Sequence, residues 1–274
     1  MKLAVQLGLL PGGGNTQKFA KAKEIGFEGI EVYGRTMLED PSVVEEYGNL
    51  SEKTGVRISS ICAGYRNFLL EESADSRRKA REDIGKLLEI GGRLGGANLI
   101  LVPVFGPPKI SDLSPYKNAS ELERELFLAQ LPEIVSSAEK NKCPLVIEPL
   151  NRYETHFINR LEQAAEYCSR INSPFLRLMG DFFHMSIEEA SIPESLERWA
   201  EWTAHIHLAD SNRILPGMGH TDFLSGFMAL KKANFRQYMA LECGVPEPRE
   251  ENLKRSFEYL EKTISACGEK TEKV

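Results

Sequence analysis

Four short apolar segments of the sequence each carry one side chain able to bind a metal ion. Glu148 stands within Val146-Ile147-Glu148-Pro149-Leu150, Asp181 within 176–183, His207 within 203–210, and Glu242 between Leu241 and Cys243. An ionised carboxylate inside an apolar run is costly unless a partner compensates its charge. Three carboxylates brought together would also repel one another, and a divalent cation among them removes both penalties. One histidine with three carboxylates suits Mn²⁺ best, with Mg²⁺ or Co²⁺ as alternatives, and fits a structural Zn²⁺ site less well. Taken singly, each residue also fits a helix N-cap or a hydrogen-bonded core group. Their recurrence at the ends of successive strands favours one shared centre.

These segments belong to a pattern that repeats from end to end. Eight short runs rich in Val, Ile and Leu lie at 2–8, 29–34, 58–64, 98–104, 144–150, 176–183, 203–210 and 238–244. Each is too short for a core helix and is punctuated by Gly, Pro, Asn or Asp, as buried parallel strands are. Amphipathic stretches such as 17–25, 43–54, 80–94, 122–140, 160–171 and 252–264 separate them and read as helices. A chain of 274 residues buries roughly 73% of its open surface, enough for a large core without disulfides. With no linker or composition break, the pattern predicts an α/β protein, a single (β/α)₈ barrel domain over 1–274. The competing open doubly wound sheet would carry GxGxxG after its first strand. Here the glycines are 12, 13 and 14, and Gln17 takes the third required position. That segment reads as a turn, with Asn15 or Thr16 as the N-cap of the next helix.

Composition narrows the function classes. Forty acidic against 34 basic residues give a net charge of -6, which is no footprint for wrapping nucleic acid. Five cysteines, at 62, 143, 168, 243 and 267, are odd in number and lack CxxC spacing; reduced thiols in a cytoplasmic protein are expected. Gln6 interrupts the first apolar run and Pro11-Gly12-Gly13-Gly14 closes it, so no signal-peptide core is expected. No run reaches the length of a membrane span, and no membrane partner is expected.

The residues around the four candidate ligands resemble the xylose-isomerase-like sugar isomerases and epimerases, and within them the D-tagatose 3-epimerase branch. Glu148-Pro149-Leu150-Asn151-Arg152-Tyr153-Glu154 is similar to that family's EPLNRxE element, and Asp181-Phe182-Phe183-His184 to its DxxH element. His205-Ile206-His207 resembles the HxH strand, Asn212 to Gly219 the NRxxPGxG loop, and Leu241-Glu242 the last strand. The resemblance implies one divalent ion on Glu148, Asp181, His207 and Glu242, with Glu148 and Glu242 as the catalytic pair. It further implies that Glu154, His184 and Arg213 contact a small carbohydrate substrate.

The chemistry can be argued beside the resemblance. A proton next to a ketone is too weakly acidic for an unaided carboxylate, so a cation must stabilise the enediolate as charge develops. Two glutamates on opposite faces of the substrate would then exchange the proton and invert a carbon next to the carbonyl of a ketose or keto-sugar acid. Returning the proton to the neighbouring carbon would instead give aldose-ketose isomerisation of the hydroxypyruvate type. A keto-inositol dehydratase is a further alternative, and a non-catalytic binder a third. Phosphodiester cleavage by a three-metal cluster would need more histidines than the five present, none of which precedes His156.

Other residues support plainer expectations. His205 shares an inward face with His207 one layer deeper and reads as a hydrogen-bonded core group. His156 and His220 read as rim loop residues, Asp222 as a helix cap, and Trp199 and Trp202 as packing. Arg66 follows the third strand and is expected near the mouth, where its guanidinium would hold a substrate carboxylate or phosphate; a surface salt bridge is the plainer reading. The sequence leaves homo-oligomerisation open.

Overall fold

The computed structural model describes residues 1–268. Eight parallel strands close into a barrel in chain order: β1 (Lys2–Gln6), β2 (Gly29–Tyr33), β3 (Arg57–Cys62), β4 (Asn98–Leu101), β5 (Leu145–Ile147), β6 (Leu176–Asp181), β7 (Thr203–Leu208) and β8 (Tyr238–Leu241). The ring closes between β8 and β1, where Leu3 pairs with Met239 and Val5 with Leu241. Helices return the chain between strands: α1 (Asn15–Ile25), α2 (Gly34–Glu39), α3 (Ser42–Thr54), α4 (Ala74–Arg93), α5 (Ala119–Asn141), α6 (Leu161–Ile171), α7 (Phe182–Glu188), α8 (Ile192–Arg198), α9 (Phe223–Lys232) and α10 (Arg249–Ala266). The fold is a (β/α)₈ barrel.

Alternation of side chains along the strands makes two apolar layers. Val5, Ile30, Leu99, Leu145, Ile147, Leu178, Ile206 and Leu241 join the large core under the helices. Ile100, Val146 and Met179 form a separate small cluster inside the barrel, packed against Cys62 and Ala204. Polar residues occupy the rest of the interior, and all of the candidate ligands lie at that end.

Several elements begin or end differently from expectation, each for a local reason. The fifth strand stops at Ile147, because Pro149 has no N–H to continue the ladder; Glu148 still donates its N–H to Leu101 O at 3.0 Å. The sixth strand ends at Asp181, whose Oδ1 accepts from Phe183 N at 2.7 Å and caps α7. Helix α1 is capped by Gly14 and not by Asn15 or Thr16; Asn15 is its first residue and donates to Glu46 at 2.8 Å. Helix α4 starts earlier than expected, because Ser73 accepts from Ser76 N. The short helices α2, α7, α8 and α9 were not among the expected stretches. Asp222 does cap α9, accepting from Ser225 N at 3.0 Å.

The ends of β2 and β3 approach each other through glycine. Gly64 has φ +107°, and a Cβ there would stand 2.1 Å from Arg35 N. Gly64→Ala combines left-handed strain with a backbone clash. It is expected to cost at least about 2 kcal/mol of stability, read as a lower midpoint in urea unfolding.

Candidate active site

The interior end of the barrel is organised around one carboxylate that the sequence reading passed over. Glu31, on β2, is buried. Its Oε2 accepts from Ser60 Oγ at 2.6 Å and lies 2.9 Å from His207 Nε2 and 3.2 Å from His205 Nε2. Its Oε1 accepts from Gln6 Nε2 at 2.9 Å. Burial opposes the charge of Glu31, but His207 and the donors from His205 and His207 outweigh it and hold the carboxyl well below its usual range. With Nε2–H of His207 committed to Glu31, its Nδ1 points to the opposite side, the arrangement that aims a ligating histidine. His205 sits one layer deeper as a hydrogen-bonded core group, bonded to Glu31 and 3.3 Å from Ser60 Oγ.

Around His207 Nδ1 the structure brings together the residues from four separate strands. Glu148 Oε1 and Glu242 Oε2 each lie 3.2 Å away and Asp181 Oδ2 lies 3.9 Å away. These four ligand atoms lie within 4.8 Å of one another. Glu148 Oε1, Asp181 Oδ2 and His207 Nδ1 are buried and make no hydrogen bond. Buried polar atoms are ordinarily satisfied. Three buried ligand atoms without hydrogen-bond partners, from three strands and facing one point beside a fourth, therefore fit a bound cation. The oxygen-rich donor set suits a hard or borderline divalent ion.

The electrostatics follow from this crowding. Burial, with Glu242 nearby, pushes the Asp181 carboxyl up to about 8. Burial also raises Glu148, outweighing the attraction of His207. Burial would raise Glu242 as well, but His207 and Arg213 draw it below the usual carboxylate range. His207 itself is raised well above an ordinary imidazole, since Glu31 and Glu242 overcome its burial.

A second group of side chains edges this centre. His184 Nδ1 accepts from Asn151 Nδ2 at 2.8 Å and Asn151 N at 3.2 Å, which leaves Nε2 as the protonated nitrogen. That Nε2 is buried without a hydrogen-bond partner, 3.7 Å from Asp181 Oδ2. Burial and the nearby Arg213 push the His184 imidazole down to about 3, so it stays neutral. Glu154 Oε1 accepts from Asn151 Nδ2 at 3.0 Å and from Arg213 Nη1 at 2.7 Å. Arg213 Nη2 also lies 3.5 Å from Glu242 Oε2, and the guanidinium rests 4.7 Å over the Phe183 ring. Arg213 has φ +57°. Its loop is held by Asp210, a buried carboxylate that accepts from the N–H groups of Ser211, Gly217, Gly219 and Thr221 at 2.8 to 3.0 Å.

Arg66 is not part of this group. Its Nε and Nη2 make a bidentate bond with buried Asp83 of α4 at 2.8 and 2.7 Å, and its N–H donates to the same carboxylate. The anion grip expected of Arg66 is corrected: both arms of its fork are taken by a helix carboxylate. His156 pairs with buried Glu123, and His220 accepts from or donates to Ser211 at the exposed rim. Gln6, Ser60, Asn151 and Glu31 are the contributors the sequence reading missed. Only Glu31, a carboxylate within Gly29-Ile30-Glu31-Val32, gave a signal that could have found it.

A closed parallel barrel whose strand ends deliver buried acids and a backed histidine to one mouth is the layout of a barrel enzyme. The family described as xylose isomerase-like TIM barrel matches residues 19–263, and the chain belongs to it. It is similar to 3-dehydro-D-guloside 4-epimerase of Escherichia coli (strain K12), 28% identical over 232 residues, 82% of this chain and 86% of that protein. A D-psicose 3-epimerase of Enterocloster bolteae is 30% identical over 125 residues, 46% of this chain and 42% of that protein. The crystal structure of apo 3-keto-D-glucoside 4-epimerase from E. coli superposes with a TM-score of 0.86 at 26% identity, over 96% of this chain and 99% of that one. These relatives are named epimerases, which are isomerases, and the barrel with its buried donor cluster fits an enzyme of that kind. Among the described residues no helix is long and apolar enough to cross a membrane.

The raised Asp181 and Glu148 carboxyls predict how a cation should bind. Protons held there and on His207 must leave when the ion enters, so affinity rises as pH rises through about 8. In metal-free protein the sign reverses: Asp181 holds its proton more tightly folded than unfolded, where its value is 3.8. Its contribution to stability is therefore complete below that value and lost as pH rises through about 8. Thermal melts with about 1 mM Mn²⁺ should show a metal-induced rise in Tm that is larger at pH 8 than at pH 6 by about 3 °C or more.

Proposed function

We propose that the protein is a divalent-metal-dependent epimerase that inverts a carbon next to the carbonyl of a ketose or keto-sugar acid. The observation that carries this reading is the convergence of Glu148 and Glu242, from different strands, on one centre with Asp181 and His207. Both reach His207 Nδ1 at 3.2 Å, from strands separated by β6 and β7. Such a pair can serve as base and acid toward one substrate carbon. One of the two takes the proton from one face of the carbon, and the other, carrying a proton in its turn, delivers one to the opposite face. The carbon is inverted, and the two carboxyls end with exchanged protonation, which the reverse turnover or solvent restores.

The neighbouring residues have matching tasks. His184, neutral and with an unpaired Nε2–H, donates to a substrate oxygen. Arg213 presents its guanidinium beside Glu242, toward the substrate oxygen on which negative charge develops, and Glu154 both fixes that guanidinium and accepts from a substrate hydroxyl. A divalent cation on Glu148, Asp181, His207 and Glu242, with Mn²⁺ the ion best suited to those donors, would supply Lewis-acid stabilisation of the charge left when the proton departs.

Incubation of the Mn²⁺-loaded protein with ketoses and keto-sugar acids in D₂O, followed by NMR, tests the reading. Deuterium should enter at the carbon beside the carbonyl with inversion of configuration. A moved carbonyl would mean aldose-ketose isomerisation, and an enone absorption in the ultraviolet would mean dehydration; either result overturns the assignment. Glu148→Gln and Glu242→Gln should each lower kcat by at least about 100-fold, the usual contribution of a positioned proton-transfer group.

A further inference from the structure

Beside the carboxylate and histidine centre the barrel mouth opens into a cavity of about 450 Å³, on the side of β1, β2 and β3. The two share a floor. Gln6 and Glu31 line the cavity, and Gln6 Nε2 also donates to Glu242 Oε1 at 2.9 Å. Cys62 lines it too, with its Sγ 3.7 Å from the same oxygen. A substrate whose reacting carbon lies at Glu242 therefore has open space for its remaining atoms in this direction.

The walls give that space a charge. Asn15 and Lys18 of α1 and Tyr33 of β2 face it, and Lys18 is the sole cation among its lining residues. The Lys18 side chain is half-buried and has no hydrogen bond or ion pair among the described residues. The acid on the floor, Glu31, is already compensated by Gln6, Ser60, His205 and His207. The nearby Glu46 accepts from Asn15 at 2.8 Å. An uncompensated ammonium on the wall of a partly enclosed cavity is a site for an oxyanion, and the bond is charge-assisted on both sides.

We propose that this cavity receives the end of the substrate remote from the reacting carbon, and that Lys18 selects a carboxylate or phosphate there. The inference rests on the epimerase reading and gives its substrate class: an anionic keto-sugar. Binding calorimetry on the Mn²⁺-loaded enzyme, with D-fructose, D-fructuronate and D-fructose 6-phosphate, tests it, since these ketoses differ in the group at C6. At least one of the two anions should bind about 10-fold or more tighter than fructose. Lys18→Met should lower the ratio of anionic to neutral affinity by about 10- to 100-fold, and Lys18→Arg should restore most of it. The preferred anion identifies the source of the charge. Equal binding of anionic and neutral ketoses by the wild type, no measurable binding of either anion, or an unchanged ratio in Lys18→Met overturns the proposal. Proton exchange into D₂O separates it from the reading beneath: an anion preference without exchange sinks the epimerase assignment alone, whereas exchange with an unchanged ratio sinks the role of Lys18 alone.

Discussion

Everything at the barrel mouth depends on Glu31 being ionised inside the protein. A carboxylate buried to this degree persists only if its oxygens are fully engaged, and four side chains from β1, β3 and β7 engage them. The cost of keeping the charge is returned as orientation. Because the Nε2–H of His207 is held from behind, its other nitrogen faces the three acids, with the Arg213 guanidinium beside Glu242 as the further protein cation at their edge. Removing one member of such a hydrogen-bonded set leaves an uncompensated charge, which costs about 3 to 5 kcal/mol. The polar interior is thus a single unit and not a collection of separate contacts.

Strand length does the remaining work of placement. Glu148 and Glu242 lie one residue beyond their strands, and Asp181 ends its own. Each is close enough to the ladder to be fixed by it and far enough along to reach the open end. Asp181 serves two purposes with its two oxygens: Oδ1 caps α7, and Oδ2 faces the shared centre. The same helix then carries His184 one turn later, so a single cap positions both a candidate ligand and a candidate donor to substrate.

The barrel is legible in the sequence because its eight apolar runs are short, evenly punctuated and separated by helical periodicity. The convergence of Glu148, Asp181, His207 and Glu242 is legible because an isolated charged or ionisable group within an apolar run is conspicuous. Gln6 and Ser60 give no such signal, since neutral polar residues are unremarkable in strands. Glu31 does give it, yet the short run that contains it ends in the exposed Tyr33 and resembles a half-solvated edge. Arg66 misled for the opposite reason: its partner Asp83 lies on α4, in a register that only the packing of that helix against the third loop establishes. The helices α7, α8 and α9 are too short, at 7 to 10 residues, for periodicity to separate them from loops.

The loop after β7 shows how order can be distributed unevenly around one opening. Four of its backbone N–H groups converge on Asp210, so the conformational entropy of this segment is surrendered during folding and none remains to be lost when a ligand arrives. The loop after β1, separated from it in the ring only by β8, is built differently, with the exposed glycines 12 to 14 leading into α1 and no side-chain cap at Gly14. One side of the mouth is therefore held by a buried carboxylate, whereas the other is glycine-rich backbone, intrinsically less restricted. A molecule entering on the β7 side would meet a wall whose ordering cost has already been met in folding.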